Sequence, residues 1–256
     1  MSQAPAQAAG ESLPHKLFDT TLQRLIDTLE LEELAGSDGG AYLPLISRLP
    51  MVQGEVGNVR LFQGGGLFRV VTCSLAVAPI QLDSHMLFAF TPAASPVPHF
   101  TLDSVKAGEH FAFHLDLIPR LDLGANLAYM DEVFTPLTPA YEAAAAIEGL
   151  SQAQLSPRQH AVMSPWMLAN RATAEAFAGI DTAVEAYQQH WFTLLRNGVS
   201  AAAREGVTDA ELARRNLRNK RIIFDPDVDP VWERITAMIG AEAVAAQRAL
   251  LIGEDE

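Results

Sequence analysis

The stretch 95–120, SPVPHFTLDSVKAGEHFAFHLDLIPR, constrains this chain's fold more than any other. Two runs of alternating apolar and polar residues flank Ala107–Gly108, the pattern of two strands joined by a tight turn. A turn at Ala107 and Gly108 sets Lys106 opposite Glu109. It pairs Asp103 with Ala112, Thr101 with His114 and His99 with Asp116. Successive side chains of a strand point to opposite faces. One face therefore carries His99, Thr101, Asp103 and Val105 with His110, Ala112, His114 and Asp116. The other carries Phe100, Leu102, Phe111, Phe113, Leu115 and Leu117. The second face is core. The first gathers ionisable groups in the middle of a hairpin, where a site is expected.

The remaining segments fall around this hairpin. Residues 15–34 show a helical apolar stripe through Leu17, Leu22, Leu25, Ile26 and Leu29. Strands are expected over 58–63, 67–78 and 84–90, and 45–59 reads as loop with a short strand. Beyond Pro119 the pattern turns helical: 125–134, 141–146, 182–196, 209–221, and a last helix over 230–251 interrupted at Gly240. Strands first and helices after them predict an α+β fold on an antiparallel sheet. A chain of 256 residues can bury a sizeable core, and no shift of composition divides it. The expectation is a disordered lead over 1–14 and a single domain over 15–256.

Composition narrows the function. A net charge of −13 argues against nucleic acid as a partner. No apolar run reaches the roughly 18 residues of a membrane helix, and the N-terminus lacks the basic and apolar regions of a secretory signal. The single cysteine, Cys73, excludes an intramolecular disulfide and points to a reducing, cytoplasmic setting. Gly64–Gly66 lacks the Lys-Ser/Thr of a phosphate loop, no G-x-G-x-x-G follows a strand, and no G-x-S-x-G supports a serine hydrolase.

Asp103 is the sharpest chemical candidate. A plain reading makes it a solvent-facing residue of a one-sided sheet. Against that, aspartate is depleted in strand interiors and three histidines share its face. His85, on a neighbouring expected strand, is placed on that face as well. An Asp–His pair in one pocket shuttles protons near neutral pH, because each group shifts the other's pKa. A metal site built from His99, His110, His114 and Asp103 is the weaker alternative, since no ligand spacing supports it; none is expected.

These residues carry a resemblance. PHFTLDSV, FHLDLIPRLDL and YMDEVF, with LSPRQHAVMSPW further on, resemble the superfamily that joins ferredoxin-dependent bilin reductases and red chlorophyll catabolite reductases. The likeness covers roughly 68–131 and 219–251. It implies an α/β/α sandwich with a central antiparallel sheet and a site between one sheet face and the C-terminal helices. The implied substrate is a linear tetrapyrrole such as biliverdin, or one derived from chlorophyll. The implied chemistry uses no bound redox cofactor: reduced ferredoxin delivers electrons singly and side chains supply protons. By the same resemblance Asp103 falls on the central aspartate, His85 on an upstream histidine and Asp229 on an aspartate before the last helix. Ser74 stands where some bilin reductases carry a glutamate. His99 and His114 are expected to line the pocket from the hairpin geometry. A carrier that binds a bilin without reducing it remains open as the alternative.

Arg204, Arg214, Arg215, Arg218, Lys220 and Arg221 crowd the segment before Asp229. They read either as a solvated helix face or as a docking patch for an acidic ferredoxin, since local complementarity steers association even when net charges oppose.

Overall fold

The computed structural model describes residues 12–253. Most of the lead expected over 1–14 lies outside the described residues. Its end does not: the Ser12 hydroxyl accepts the His15 N–H and caps helix α1 (Leu13–Leu29), with Pro14 in the first turn. Glu30 then adopts a left-handed conformation at φ 51° and ends the helix. The expected continuation to residue 34 is instead strand β1 (Glu32–Leu34). There Glu33 accepts two hydrogen bonds from Arg60, at 2.7 and 2.6 Å.

Strands β2 (Leu43–Ile46), β3 (Glu55–Gln63), β4 (Arg69–Val77), β5 (Leu82–Phe90), β6 (His99–Ala107) and β7 (His110–Ile118) follow. The chain then runs through helices α2 (Leu127–Val133) and α3 (Thr138–Ala145), strand β8 (Leu150–Gln152), the short helix α4 (Pro157–His160) and strand β9 (Leu168–Ala172). Helices α5 (Ala174–Ala178), α6 (Asp181–Asn197), α7 (Asp209–Ile223), α8 (Val231–Ile239) and α9 (Ala241–Ile252) complete it. The strands form one antiparallel sheet in the order β1-β3-β4-β5-β6-β7-β9-β8, with β2 on the same edge of β3 as β1.

Helices cover both faces. Leu17, Leu22 and Leu25 of α1 and Val184, Tyr187 and Trp191 of α6 pack on Leu87, Phe100, Leu102 and Leu115 of the sheet. Ile223 and Phe224 at the end of α7, Trp232 and Ile239 of α8, and Val244 and Leu251 of α9 pack over Val71, Cys73 and Phe88 on the other face. This is the α/β/α sandwich expected from the resemblance. The break at Gly240, where φ is 87°, separates α8 from α9 as the sequence predicts.

The hairpin turn falls one residue later than expected. Gly108 and Glu109 form it, because the left-handed position (φ 60°) needs the glycine first. Asp103 therefore pairs with His114, Thr101 with Asp116 and His99 with Ile118. The slip moves each partner by two residues, so both faces keep their expected members. Leu102 is fully buried and points away from Asp103, into the α1 layer. Leu102→Ala should cost about 2–5 kcal/mol of stability, read by chemical denaturation. The His114 titration described below should stay where it is.

Candidate active site

In an antiparallel sheet, directly paired residues share a face. The register places Cys73 of β4, Met86 of β5, Asp103 of β6, His114 of β7 and Ala169 of β9 in one row. This row floors a cavity of about 460 Å³. Its roof is Phe224, Val228, Asp229 and Trp232 from the end of α7 to α8, with Gln247 from α9. Met163 and Met167, on the segment between α4 and β9, also line the cavity.

Asp103 Oδ2 stands 3.5 Å from His114 Nδ1. Asp103 Oδ1 and His114 Nε2 are buried and make no hydrogen bond among the described residues. Burial alone would lower the His114 pKa. The hydrogen bond and charge of Asp103, reinforced by Asp116 and Asp229, outweigh burial and raise it. Burial likewise lifts the Asp229 carboxyl, and the Asp103 charge adds to the lift. Asp229 Oδ1 accepts the Val231 N–H at 3.0 Å, which fixes the carboxyl at the start of α8.

Asp116 lies in the next row of the same face and is fully buried. Burial lifts it to about 6. It accepts Ser164 N–H at 2.8 Å and Ser164 O–H at 2.5 Å, tying the Met163–Met167 segment to the strand that carries His114.

Two expected site residues lie elsewhere. His85 pairs with Ser74 and Ser104, not with Asp103, so it points to the opposite face. Met86 occupies the place beside Asp103 instead. His85 contacts Asp83 through Nε2 (2.9 Å) and Ser74 through Nδ1 (3.0 Å), under the rings of Phe18 and His15. Burial alone would raise the Asp83 carboxyl. Hydrogen bonds from His85 and Ser12 outweigh it and hold Asp83 low. This cluster seats α1 on the sheet. His99 shares the Asp103 face but sits beyond the cavity. Its Nδ1 accepts Thr91 N–H (3.0 Å) and its Nε2–H donates to Asn216 Oδ1 (2.9 Å). Burial and the nearby Arg120 cation hold His99 well below the usual histidine range, which suits a neutral structural hinge between sheet and α7. Of the expected residues, Asp103, His114 and Asp229 come together at the cavity.

The basic run divides too. Arg214, Arg218 and Arg221 are exposed and share one side of α7 at i, i+4 and i+7 spacing. Lys220 is fully buried over the Phe68 and Phe90 rings, and Arg215 donates to the Pro119 carbonyl, so both leave the expected docking patch.

An antiparallel sheet between two helical layers, with a cavity under the C-terminal helices, is the arrangement that the resemblance implies. No family model matches the chain, and no curated protein matches it in sequence. Among solved structures, the fold is similar to that of phytochromobilin synthase from tomato in complex with biliverdin. The TM-score is 0.70 over 93% of this chain and 82% of that one, at 16% sequence identity. No helix among the described residues is long and apolar enough to cross a membrane.

The raised His114 pKa has a stability consequence. Its contribution is fully present below the unfolded value of about 6.5 and is lost as pH rises through the raised folded value. Asp103→Asn should move the His114 midpoint down in an NMR titration and flatten this loss. His85→Ala should instead lower stability by about 1–3 kcal/mol in denaturant, without moving that midpoint.

Proposed function

We propose that the chain reduces a linear tetrapyrrole of the biliverdin type, with reduced ferredoxin as electron donor and no bound redox cofactor. The observation that carries this reading is the Asp103–His114 pair. It sits at the floor of a largely apolar cavity, within a fold shared with a synthase whose solved structure holds biliverdin. The cavity volume lies within the roughly 300–1,000 Å³ of small-molecule sites. Arg234 borders both cavity and solvent, where a cation suits the carboxylates of such a pigment.

Reducing one double bond takes two electrons and two protons. Ferredoxin supplies the electrons singly, so the cavity must deliver a proton to each reduced intermediate. Asp103 meets the substrate's nitrogens and relays the first proton, which His114, held protonated to higher pH than a free histidine, supplies. Asp229, whose raised pKa favours the acid form, supplies the second from the roof. His114, rather than His85, is the histidine of the Asp–His pair. The exposed ridge of Arg214, Arg218 and Arg221 is the proposed ferredoxin contact. Phe224 on the cavity wall lies about 9 Å along the helix axis from Arg218.

Biliverdin added to the purified protein should shift its absorption spectrum. Ferredoxin, its reductase and NADPH should then change the colour further. Asp103→Asn should keep the first shift and slow the second change by about 10²–10⁴-fold. A wild-type protein that binds the pigment but never turns it over would make the chain a carrier. Arg214→Glu with Arg218→Glu should slow reduction about tenfold or more at low salt and leave pigment affinity unchanged. A rate that ignores both charge reversal and ionic strength would remove the docking assignment.

A further inference from the structure

Two more buried polar atoms belong to residues lining the cavity, on the helix side. Trp232 Nε1 and Gln247 Oε1 have no hydrogen-bond partner among the described residues. Trp232 is 3% exposed and Gln247 0%. Both are held in place. Gln247 Nε2 donates to Cys73 Sγ at 3.1 Å, which presses the amide against β4 at the far end of the Asp103 row. The Trp232 ring is set by Phe224 at 6.3 Å and by the Arg248 guanidinium at 5.9 Å. Trp232 and Gln247 both line the helix wall of the cavity.

That wall offers one N–H donor and one carbonyl acceptor in a place dry enough that leaving either unmatched is costly. A carboxylate would answer the indole but meet the Gln247 oxygen lone pair to lone pair. A lone ketone would satisfy only Trp232. A cis amide, with N–H and C=O on one edge, answers both. The terminal rings of a linear tetrapyrrole are lactams, and a lactam is a cis amide.

We propose that Trp232 and Gln247 form a lactam clamp: Trp232 Nε1–H donates to the carbonyl oxygen of one terminal ring, and Gln247 Oε1 accepts that ring's N–H. The clamp rests on the proposed tetrapyrrole reading and adds to it which polar edge is read and from which side. Cys73 and Asp103 stand two strands apart in one row, about 10 Å. A terminal ring held over Cys73 leaves the inner pyrrole nitrogens to face Asp103. The clamp thereby fixes which end of the pigment is presented to the proton donors.

Two probes decide it by absorbance titration: biliverdin, and biliverdin whose terminal lactams are converted to O-methyl lactim ethers, which have no N–H. The wild type should bind biliverdin about tenfold or more tightly than the lactim ether. Gln247→Met should erase most of that difference by weakening biliverdin alone. Trp232→Phe, which keeps the ring and removes the N–H, should weaken biliverdin about tenfold. Near-UV circular dichroism reports whether each variant folds, and either folded variant is sufficient. Equal wild-type affinity for the two probes overturns the clamp. So do folded variants that bind biliverdin as the wild type does. A wild-type protein that leaves the biliverdin spectrum unchanged overturns the tetrapyrrole reading itself, and the clamp with it.

Discussion

Everything at the cavity depends on the register of four adjacent antiparallel strands. Because paired residues share a face, β4 to β7 bring Cys73, Met86, Asp103 and His114 into line without any loop having to position them. The alternate residues Leu87, Leu102 and Leu115 bury themselves under α1 and α6. A slip of one residue would send the leucines into the cavity and the ionisable groups into the core. The burial of the greasy face therefore holds the chemistry of the other face in place.

Placing four titratable groups around an apolar cavity is expensive unless they share charge. Here His114 is surrounded by Asp103, Asp116 and Asp229, and all three carboxylates favour its charged form. Asp116 is itself anchored by Ser164, while Asp229 answers to both Asp103 and His114. Protons in such a cluster belong to the group as a whole rather than to single residues. That suits the proposed proton relay. It also explains why Asp116, which lies outside the cavity, belongs in any account of it.

The sequence made the two faces of β6 and β7 legible, because alternation is local. The sandwich and Asp229 were expected from the resemblance and Asp103 from both hairpin and resemblance, and the cavity brings the two aspartates together with His114. The position of His85 was not legible. Its register against β6 depends on residues 91–98, which contain Pro92, Pro96 and Pro98 and do not form a two-residue turn. A count along the chain cannot decide whether His85 or Met86 faces Asp103. The hairpin turn was misplaced by one residue, yet the faces survived, because that error shifts pairing by an even number. Trp232, Gln247 and the Ser164 anchor carry no local signal at all. They reach the site through the packing of helices and loops that are distant in sequence. The basic run failed in part for a related reason: charge is visible in a sequence, but the side of α7 that packs on Phe68 and Phe90 is not.

The walls around this polar set include four thioethers, Met86, Met163, Met167 and Met238. Methionine is unbranched, turns freely about its side-chain bonds and packs against aromatic faces at little cost. A lining of this kind follows the outline of whatever enters. Isomers that differ in the tilt of a ring or the position of a double bond would be accommodated almost equally well by shape. Discrimination then falls to the few fixed polar atoms, which makes the pocket tolerant in form and exacting in hydrogen bonding.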